Sequence, residues 1–145
     1  FRISNGTRQG SVLSPVLFSV YVQDLLDELQ NLGVGCHVGN TYLVAVAWAD
    51  DFLLLAPNRA AMQQMLDVAA DFGVRNNLEF SCDPDPVKTK SKAIYMVGKK
   101  TELQKPVNLQ LYGKPLPWVS HATHLGHEFH EDRTMAQDAK MKQDQ

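Results

Sequence analysis

The chain has 145 residues, of which 44% are hydrophobic and 21% are charged, and its formal net charge is −2. That length is typical of one domain, and the average composition excludes a largely disordered chain, a collagen-like repeat and a coiled coil. The longest apolar run, residues 42–49, is much shorter than a membrane span, so we expect no transmembrane segment and no membrane partner. The two cysteines, Cys36 and Cys82, stand alone, which argues against a disulfide framework or a thiolate zinc site and favours a reducing compartment. Because the sequence starts at Phe1 without a charged-then-apolar leader, we expect no signal peptide and a piece of a longer protein.

Charge is distributed unevenly along the chain. Residues 1–74 carry three basic and seven acidic side chains. Residues 75–120 carry eight basic and four acidic side chains, and residues 121–145 carry three basic and five acidic ones. The near-neutral total argues against a protein that coats nucleic acid unaided, because that affinity grows with the number of phosphates neutralised. Lys88, Lys90 and Lys92 alternate, so a strand would place all three on one face toward a polyanion. A solvated edge strand protected by lysines is the alternative interpretation.

The first predicted element is an amphipathic helix. Ser14 can cap its start, Pro15 suits its first turn, and Gly33 and Gly35 provide its end. Apolar residues recur between them at helical spacings of three and four. A second helix is expected from the capping residue Asn58 to about residue 74.

The remaining predicted elements are short strands. A two-residue turn at Gly39-Asn40 would join residues 36–38 to residues 41–48. An acidic tip would join that second run to the apolar residues 52–56. Further strands are expected at 78–82, 92–97, 107–112 and 116–119, with a turn at residues 113–114, whereas residues 131–145 are polar and are assigned no function. Together these elements predict an α+β protein, in which an antiparallel sheet carries two helices on one face and a small β extension follows.

The acidic tip, Asp50-Asp51, is the first candidate for chemistry. Two like charges at the end of an apolar hairpin need a compensating cation, and hard divalent ions prefer carboxylate oxygens. Only a sharp turn lets both carboxylates approach one ion, so we expect Asp50 to be the primary ligand. A solvated turn is the alternative, since Asp-Asp is common in loops. Two-metal phosphoryl transfer would need a further carboxylate, and residues 1–40 offer no acid at the end of an apolar strand.

Two strings in the sequence together resemble one protein family. Residues 8–18 read RQGSVLSPVLF and residues 48–51 read WADD. They resemble the palm of reverse transcriptases, which are RNA-directed DNA polymerases, and most closely the type encoded by non-LTR, LINE-like retrotransposons. The first string resembles the loop and helix that contact the incoming nucleotide and the template, and the second resembles the Tyr-x-Asp-Asp hairpin. The resemblance covers residues 1–127 and implies a partial right-hand polymerase palm that includes the start of the primer-grip region, with residues 128–145 as a polar tail.

The resemblance implies roles for the matching positions. Asp50 would be a catalytic metal ligand and Asp51 its neighbour at the same site, with Mg²⁺ as the ion and Mn²⁺ as its alternative. Gln9 and Gly10 would contact the nucleotide, and Arg8 would position their loop.

Two later segments also resemble parts of the family. Residues 88–92 resemble the lysine-bearing motif after the palm helix, in which Lys90 would act as a general acid near the pyrophosphate leaving group. Leu125-Gly126 resembles the turn of the primer-gripping hairpin. The implied activity is transfer of deoxynucleotides (dNTPs) to a primer 3′ hydroxyl by two-metal chemistry, with an RNA template and a DNA primer as partners.

The sequence departs from the family pattern in two places. Trp48 replaces the more usual tyrosine, a change that preserves bulk but removes a hydroxyl. The family's other catalytic aspartate lies on a strand before the RQG string, and this strand is absent from the 145 residues. We therefore expect the N-terminal fingers and palm region of the same polyprotein as a partner, and an isolated chain that is inactive. The alternative function is a non-catalytic nucleic-acid-binding remnant of a retrotransposon protein, in which the lysines bind phosphates.

A histidine cluster offers a competing hypothesis. His121, His124, His127 and His130 recur at every third position, and acidic residues lie close by. Imidazole and carboxylate groups bind zinc, so a zinc site or a metal-dependent hydrolase remains an alternative. On a strand, however, that spacing sends alternate histidines to opposite faces, and Gly126 would interrupt a helix.

Overall fold

The structure, a computed structural model, describes residues 13–83, 85, 87–96 and 107–131. The chain divides into two compact units, residues 1–57 and 58–145. The described elements, in chain order, are α1 (Ser14–Asn31), β1 (Cys36–Val38), β2 (Thr41–Leu43), β3 (Ala45–Trp48), β4 (Asp51–Leu54), α2 (Arg59–Asn76), β5 (Gln110–Leu111), β6 (Lys114–Pro115), β7 (His121–His124) and β8 (His127–His130).

These elements confirm the predicted α+β class. All the strand pairs are antiparallel and join neighbours in the sequence: β1 with β2, β3 with β4, β5 with β6, and β7 with β8. Within the described residues the pairing is divided among four two-stranded sheets rather than one continuous sheet. In the same part of the chain, neither helix combines the length and the apolar character that a membrane crossing requires.

Helix α1 begins and ends close to the predicted positions. Leu13 occupies the N-cap position with helical φ and ψ, so Ser14 is the first helical residue rather than the cap. Pro15 lies in the first turn, where its missing N–H has no intrahelical partner to lose. The helix stops before Gly33, whose φ is +67° and whose N–H donates to Gln30 O at 3.3 Å.

The first unit is built around one face of α1. Val22, Leu25 and Leu29 of that face are buried, as is Val44, and α1 packs against β3. The Gly39-Asn40 turn is confirmed. Residue 44 divides the predicted strand 41–48 into β2 and β3.

The second unit is built around α2. Asn58 caps the helix as predicted, since its side chain accepts a 2.9 Å hydrogen bond from Ala61 N. The helix continues two residues beyond the expected end and stops where Asn77 adopts a φ of +52°. Its buried face packs against β5, and the core of this unit contains Met65, Leu66, Ala69, Phe72, Leu109, Leu111 and Leu116.

Several strands predicted in the second unit are wrong or displaced. Residues 78–82 form no ladder, and within the described part of 92–97 only Ala93 pairs, in an isolated parallel bridge with Trp118. The predicted pair 107–112 and 116–119 is shorter and turns at Tyr112-Gly113 instead of residues 113–114. The tail beyond residue 131 lies outside the described residues.

Candidate active site

The acidic hairpin, residues 45–54, carries the two predicted metal ligands at its tip. Strands β3 and β4 pair from Ala45↔Leu54 to Trp48↔Asp51. A further backbone hydrogen bond of 2.8 Å, from Leu55 N to Val44 O, extends the ladder at its open end. The loop is therefore only two residues long, which makes the turn as tight as a hairpin allows.

The two aspartates at the tip lie in different elements, one in the loop and one in the strand that follows it. Asp50 is the second loop residue, and Asp51 is the first residue of β4. Both are exposed. Ala49, the first loop residue, has a φ of +52°, a left-handed conformation that is unfavourable for a residue with a Cβ. The sharp turn that the sequence interpretation requires is thus present, and it holds backbone strain beside the carboxylates.

The described part of the first unit has a negative formal charge. The described residues of the first unit, 13–57, include five acidic residues and neither lysine nor arginine. Repulsion between neighbouring carboxylates is therefore not offset by any basic side chain in that range. This arrangement favours a cation that comes from outside these residues.

One face of the acidic hairpin is apolar and open to solvent. Trp48 pairs with Asp51 and Val46 pairs with Leu53 across the strands, so all four side chains lie on one face. Trp48 is 69% exposed and Val46 is 37% exposed. A flat aromatic surface therefore stands directly beside a carboxylate, and planar groups such as nucleobases stack on such surfaces.

The lysine loop, residues 87–92, lies in the second unit and does not form the strand on which all three lysines would share one face. Lys88, Lys90 and Lys92 are nevertheless all exposed, whereas Thr89 is buried and Ser91 is half-buried. The alternation of outward and inward side chains is thus produced by a loop. Lys88 forms an ion pair with Asp85, with 3.8 Å between Nζ and Oδ2.

Leu125-Gly126 forms the loop of the histidine hairpin, residues 121–130. Both loop residues have positive φ, +50° and +77°, which matches the twist of the flanking strands. The resemblance to a hairpin turn at this position is therefore matched by the backbone.

The four histidines divide between the two faces of that hairpin. His121 pairs with His130 and His124 with His127, so the two pairs point to opposite sides. The rings of the first pair stack with centroids 5.8 Å apart, and Glu128 Oε2 lies 3.3 Å from His130 Nε2. Within the described ranges, no three His, Cys, Asp or Glu side chains are arranged to hold a metal ion. The zinc hypothesis therefore has no support in this part of the chain.

Three predicted site residues, Arg8, Gln9 and Gly10, lie outside the described residues. Sequence reasoning passed over Thr89, which is the one buried polar residue that the described part contains. The signal that could have identified it is its place between two charged residues in an alternating run.

Comparison with known proteins gives one family and two related polyproteins. Residues 1–129 match the family described as Reverse transcriptase (RNA-dependent DNA polymerase). The chain is 41% identical over 69 residues to the Retrovirus-related Pol polyprotein from type-2 retrotransposable element R2DM of Drosophila melanogaster, a match that covers 48% of the chain and 6% of the polyprotein. It is 38% identical over 71 residues to the Retrovirus-related Pol polyprotein from type-1 retrotransposable element R2 of Popillia japonica, covering 48% of the chain and 10% of that protein. The matched segments are therefore small parts of both relatives.

Proposed function

The chain belongs to the reverse transcriptase (RNA-dependent DNA polymerase) family, and we propose that it forms the catalytic palm of an RNA-directed DNA polymerase from a non-LTR retrotransposon. This polymerase extends a DNA primer along an RNA template, using dNTPs. The observation that carries the proposal is the pair of exposed carboxylates, Asp50 and Asp51, at the tip of a tight hairpin.

The residues at this tip fit a divalent cation. Asp50 and Asp51 supply the oxygen ligands that Mg²⁺ and Mn²⁺ prefer, and residues 13–57 contain no basic side chain that could replace the ion. Further ligands would have to come from an upstream aspartate and from the substrate phosphates. When bound, the metal supplies neutralisation of the charge that develops on the transferring phosphate.

The chain's own residues bind the metal ion and donate a proton to the leaving group. Asp50 holds the ion and Asp51 supports the same site. The primer 3′ hydroxyl loses its proton to solvent water, its oxygen bonds to the α-phosphorus, and the bond from that phosphorus to the oxygen that bridges it to the β-phosphorus breaks. Lys90 Nζ then gives its proton to the leaving pyrophosphate, which general acid catalysis makes a better leaving group.

The other predicted residues position the substrates. Gln9 and Gly10 contact the incoming nucleotide, and Arg8 positions the loop that carries them. The Leu125-Gly126 turn holds the primer, an assignment supported by its tight hairpin backbone. Correct placement of primer and nucleotide contributes to the rate by making the attack effectively intramolecular.

Substitution of the primary ligand tests the proposal. In the polymerase that carries this sequence together with its upstream aspartate strand, Asp50→Asn should lower primer extension at least about 10³-fold, since a lost ligand removes several kcal/mol of charge stabilisation. Asp24→Asn is the matched control, because Asp24 is an exposed aspartate of α1 in the same unit. Extension at the wild-type rate in Asp50→Asn would refute the assignment.

The 145 residues by themselves should not polymerise DNA, because residues 1–40 supply no acid at the end of an apolar strand. The purified chain, given a primed RNA template and labelled dNTPs, should incorporate no label above background. Incorporation that disappears in Asp50→Asn would show that the chain needs no further carboxylate.

A non-catalytic RNA-binding remnant is the second candidate, and the exposed Lys88, Lys90 and Lys92 favour it. Each lysine that contacts a phosphate contributes about 1 to the slope of log affinity against log salt concentration. The remnant hypothesis predicts that Lys→Gln substitutions reduce this slope while Asp50→Asn changes neither extension nor binding. The polymerase hypothesis predicts that Asp50→Asn abolishes extension and leaves RNA affinity within about twofold.

A further inference from the structure

We propose that Thr89 is a positioning residue for Lys90. Its buried hydroxyl ties the lysine loop to the preceding segment, so that the Lys90 ammonium projects from a fixed backbone. The inference rests on the proposed function, in which Lys90 gives a proton to the leaving pyrophosphate.

The burial of Thr89 is the first observation. Its side chain is 3% exposed, and no other polar residue of the described part is buried. Its chain neighbours Lys88 and Lys90 are both exposed. Burying a hydroxyl is unfavourable unless it forms hydrogen bonds, so this residue is held in place by specific partners.

The hydrogen bonds of Thr89 join both sides of the loop. Oγ1 lies 3.2 Å from Ser81 O and 3.2 Å from Ser91 O, so its single proton is shared between the two carbonyl oxygens. The same oxygen accepts a 3.2 Å hydrogen bond from Ser91 N. Thr89 therefore links the residue that follows Lys90 to a segment eight residues earlier.

The backbone of Lys90 is fixed by the same segment. Lys90 N donates to Ser81 Oγ at 3.1 Å, so Ser81 receives a bond from Thr89 on its carbonyl and one from Lys90 on its side chain. Before Lys90 in the chain, Asp85 O accepts hydrogen bonds from Lys88 N at 3.0 Å and from Thr89 N at 3.1 Å. After it, Ser91 N donates to Thr89 Oγ1. Lys90 thus sits between two anchored points.

Among Lys88, Lys90 and Lys92, ion pairing with a described residue distinguishes Lys88 from the other two. Lys88 pairs with Asp85, whereas the Lys90 and Lys92 side chains have no ion-pair partner within the described residues. Of these two, Lys90 has the backbone that Ser81 and Thr89 hold. Lys90 therefore combines a fixed backbone with an amine that is available to a ligand.

Thr89→Val tests the inference in the full-length polymerase, because valine keeps the shape and removes the hydroxyl. We expect kcat for nucleotide incorporation to fall about tenfold, while KM for the dNTP stays within about twofold, since Lys90 acts on the leaving group rather than on ground-state binding. Thr89→Ser restores the hydroxyl and should restore kcat. Thr41→Val is the matched control and should leave kcat unchanged, because Thr41 is an exposed threonine of β2 and lies outside the residues assigned to the site.

The outcomes separate this inference from the proposed function. If Lys90→Met lowers kcat and Thr89→Val does not, the positioning role is wrong and the proposed function stands. If Lys90→Met has no effect, the general-acid assignment fails and the role of Thr89 fails with it. If Thr89→Val does not fold, Thr89→Cys takes its place, because a thiol fits the same space and is only a weak hydrogen-bond donor to Ser81 O and Ser91 O. Thr89→Cys should lower kcat about threefold, and wild-type kcat in that variant would overturn the inference.

Discussion

The acidic hairpin and the tyrosine hairpin, residues 110–115, both have a strained loop residue with positive φ. The two loops differ in whether tertiary contacts hold that residue. Both hairpins close with two-residue loops, and the first loop residue has positive φ without being glycine: Ala49 at +52° and Tyr112 at +53°. In the tyrosine hairpin the second loop residue is Gly113, at +70°. In the acidic hairpin it is Asp50.

Tertiary contacts hold the tyrosine hairpin. Tyr112 Oη donates to Leu78 O and accepts from Phe80 N, both at 3.3 Å. The Tyr112 side chain also lies against Gly73 of α2, where the absence of a Cβ leaves space for it. The loop residues of the acidic hairpin are instead exposed. Strain compensated by packing serves structure, whereas strain kept at an exposed carboxylate tip is typical of a functional site.

The largest expected effect is at Gly73. A Cβ there would lie too close to Tyr112 Oη and to Leu78 O. Gly73→Ala should therefore lower the free energy of unfolding by about 1–3 kcal/mol, although the same change at an exposed helix position raises it by about 1 kcal/mol. Urea unfolding followed by Trp118 fluorescence measures the change.

A double-mutant cycle identifies the cause of that effect. If the clash with the tyrosine is responsible, Gly73→Ala should be less destabilising in a Tyr112→Ala background. An unchanged or higher stability in the single variant Gly73→Ala would show that the tyrosine hairpin does not pack against α2 at this glycine.

The next effect concerns the hydroxyl of Tyr112. Tyr112→Phe should lower the free energy of unfolding by about 1 kcal/mol, because Leu78 O and Phe80 N each lose a partner. Tyr95→Phe is the matched control, since the Tyr95 hydroxyl forms no hydrogen bond within the described residues and its ring contacts Trp118. Equal stabilities of the two variants in urea would contradict the anchoring role of Tyr112.

Substitutions in the two loops should have opposite signs. Ala49→Gly should raise the free energy of unfolding by about 0.5–1 kcal/mol, because glycine adopts positive φ without penalty. Gly113→Ala should lower it by about 1 kcal/mol for the reverse reason. Amide hydrogen exchange at Leu55 N reports the first unit and exchange at Leu116 N reports the second, so the same sign for both substitutions would remove the distinction between the hairpins.

The smallest effect is the pH dependence at Cys82, whose Sγ lies 3.4 Å from Leu111 O of the tyrosine hairpin. Burial raises the pKa of the Cys82 thiol, Lys114 lowers it in part, and Asp83 raises it further. Because the folded pKa is raised, the stabilisation is fully present below the unfolded pKa and is lost as pH rises through the folded pKa. Unfolding measured by Trp118 between about pH 8 and pH 10 should therefore depend less on pH in Cys82→Ala than in the wild type.

The candidate site was predictable where its geometry is local. Asp50 and Asp51 stand at the hairpin tip that the sequence predicted, and Leu125-Gly126 forms a turn where the family resemblance implied one. The lysines are exposed in the expected alternation. They lie in a loop rather than on the strand considered for them, and Thr89 bonds across that loop to Ser81.

The sequence by itself determined both helices, the Gly39-Asn40 turn and the acidic tip, because apolar spacing, the Asn58 cap and two-residue loops depend on neighbours within a few positions. Only the tertiary structure decided the region from residue 78 to residue 96. There Phe80 N bonds to a tyrosine hydroxyl, Ser81 O to a threonine, and Ala93 to the backbone of residues 117 and 119. A strand needs a backbone partner on another strand, whereas most of the hydrogen bonds observed in this region involve a side chain, and the apolar pattern of a sequence does not specify those bonds.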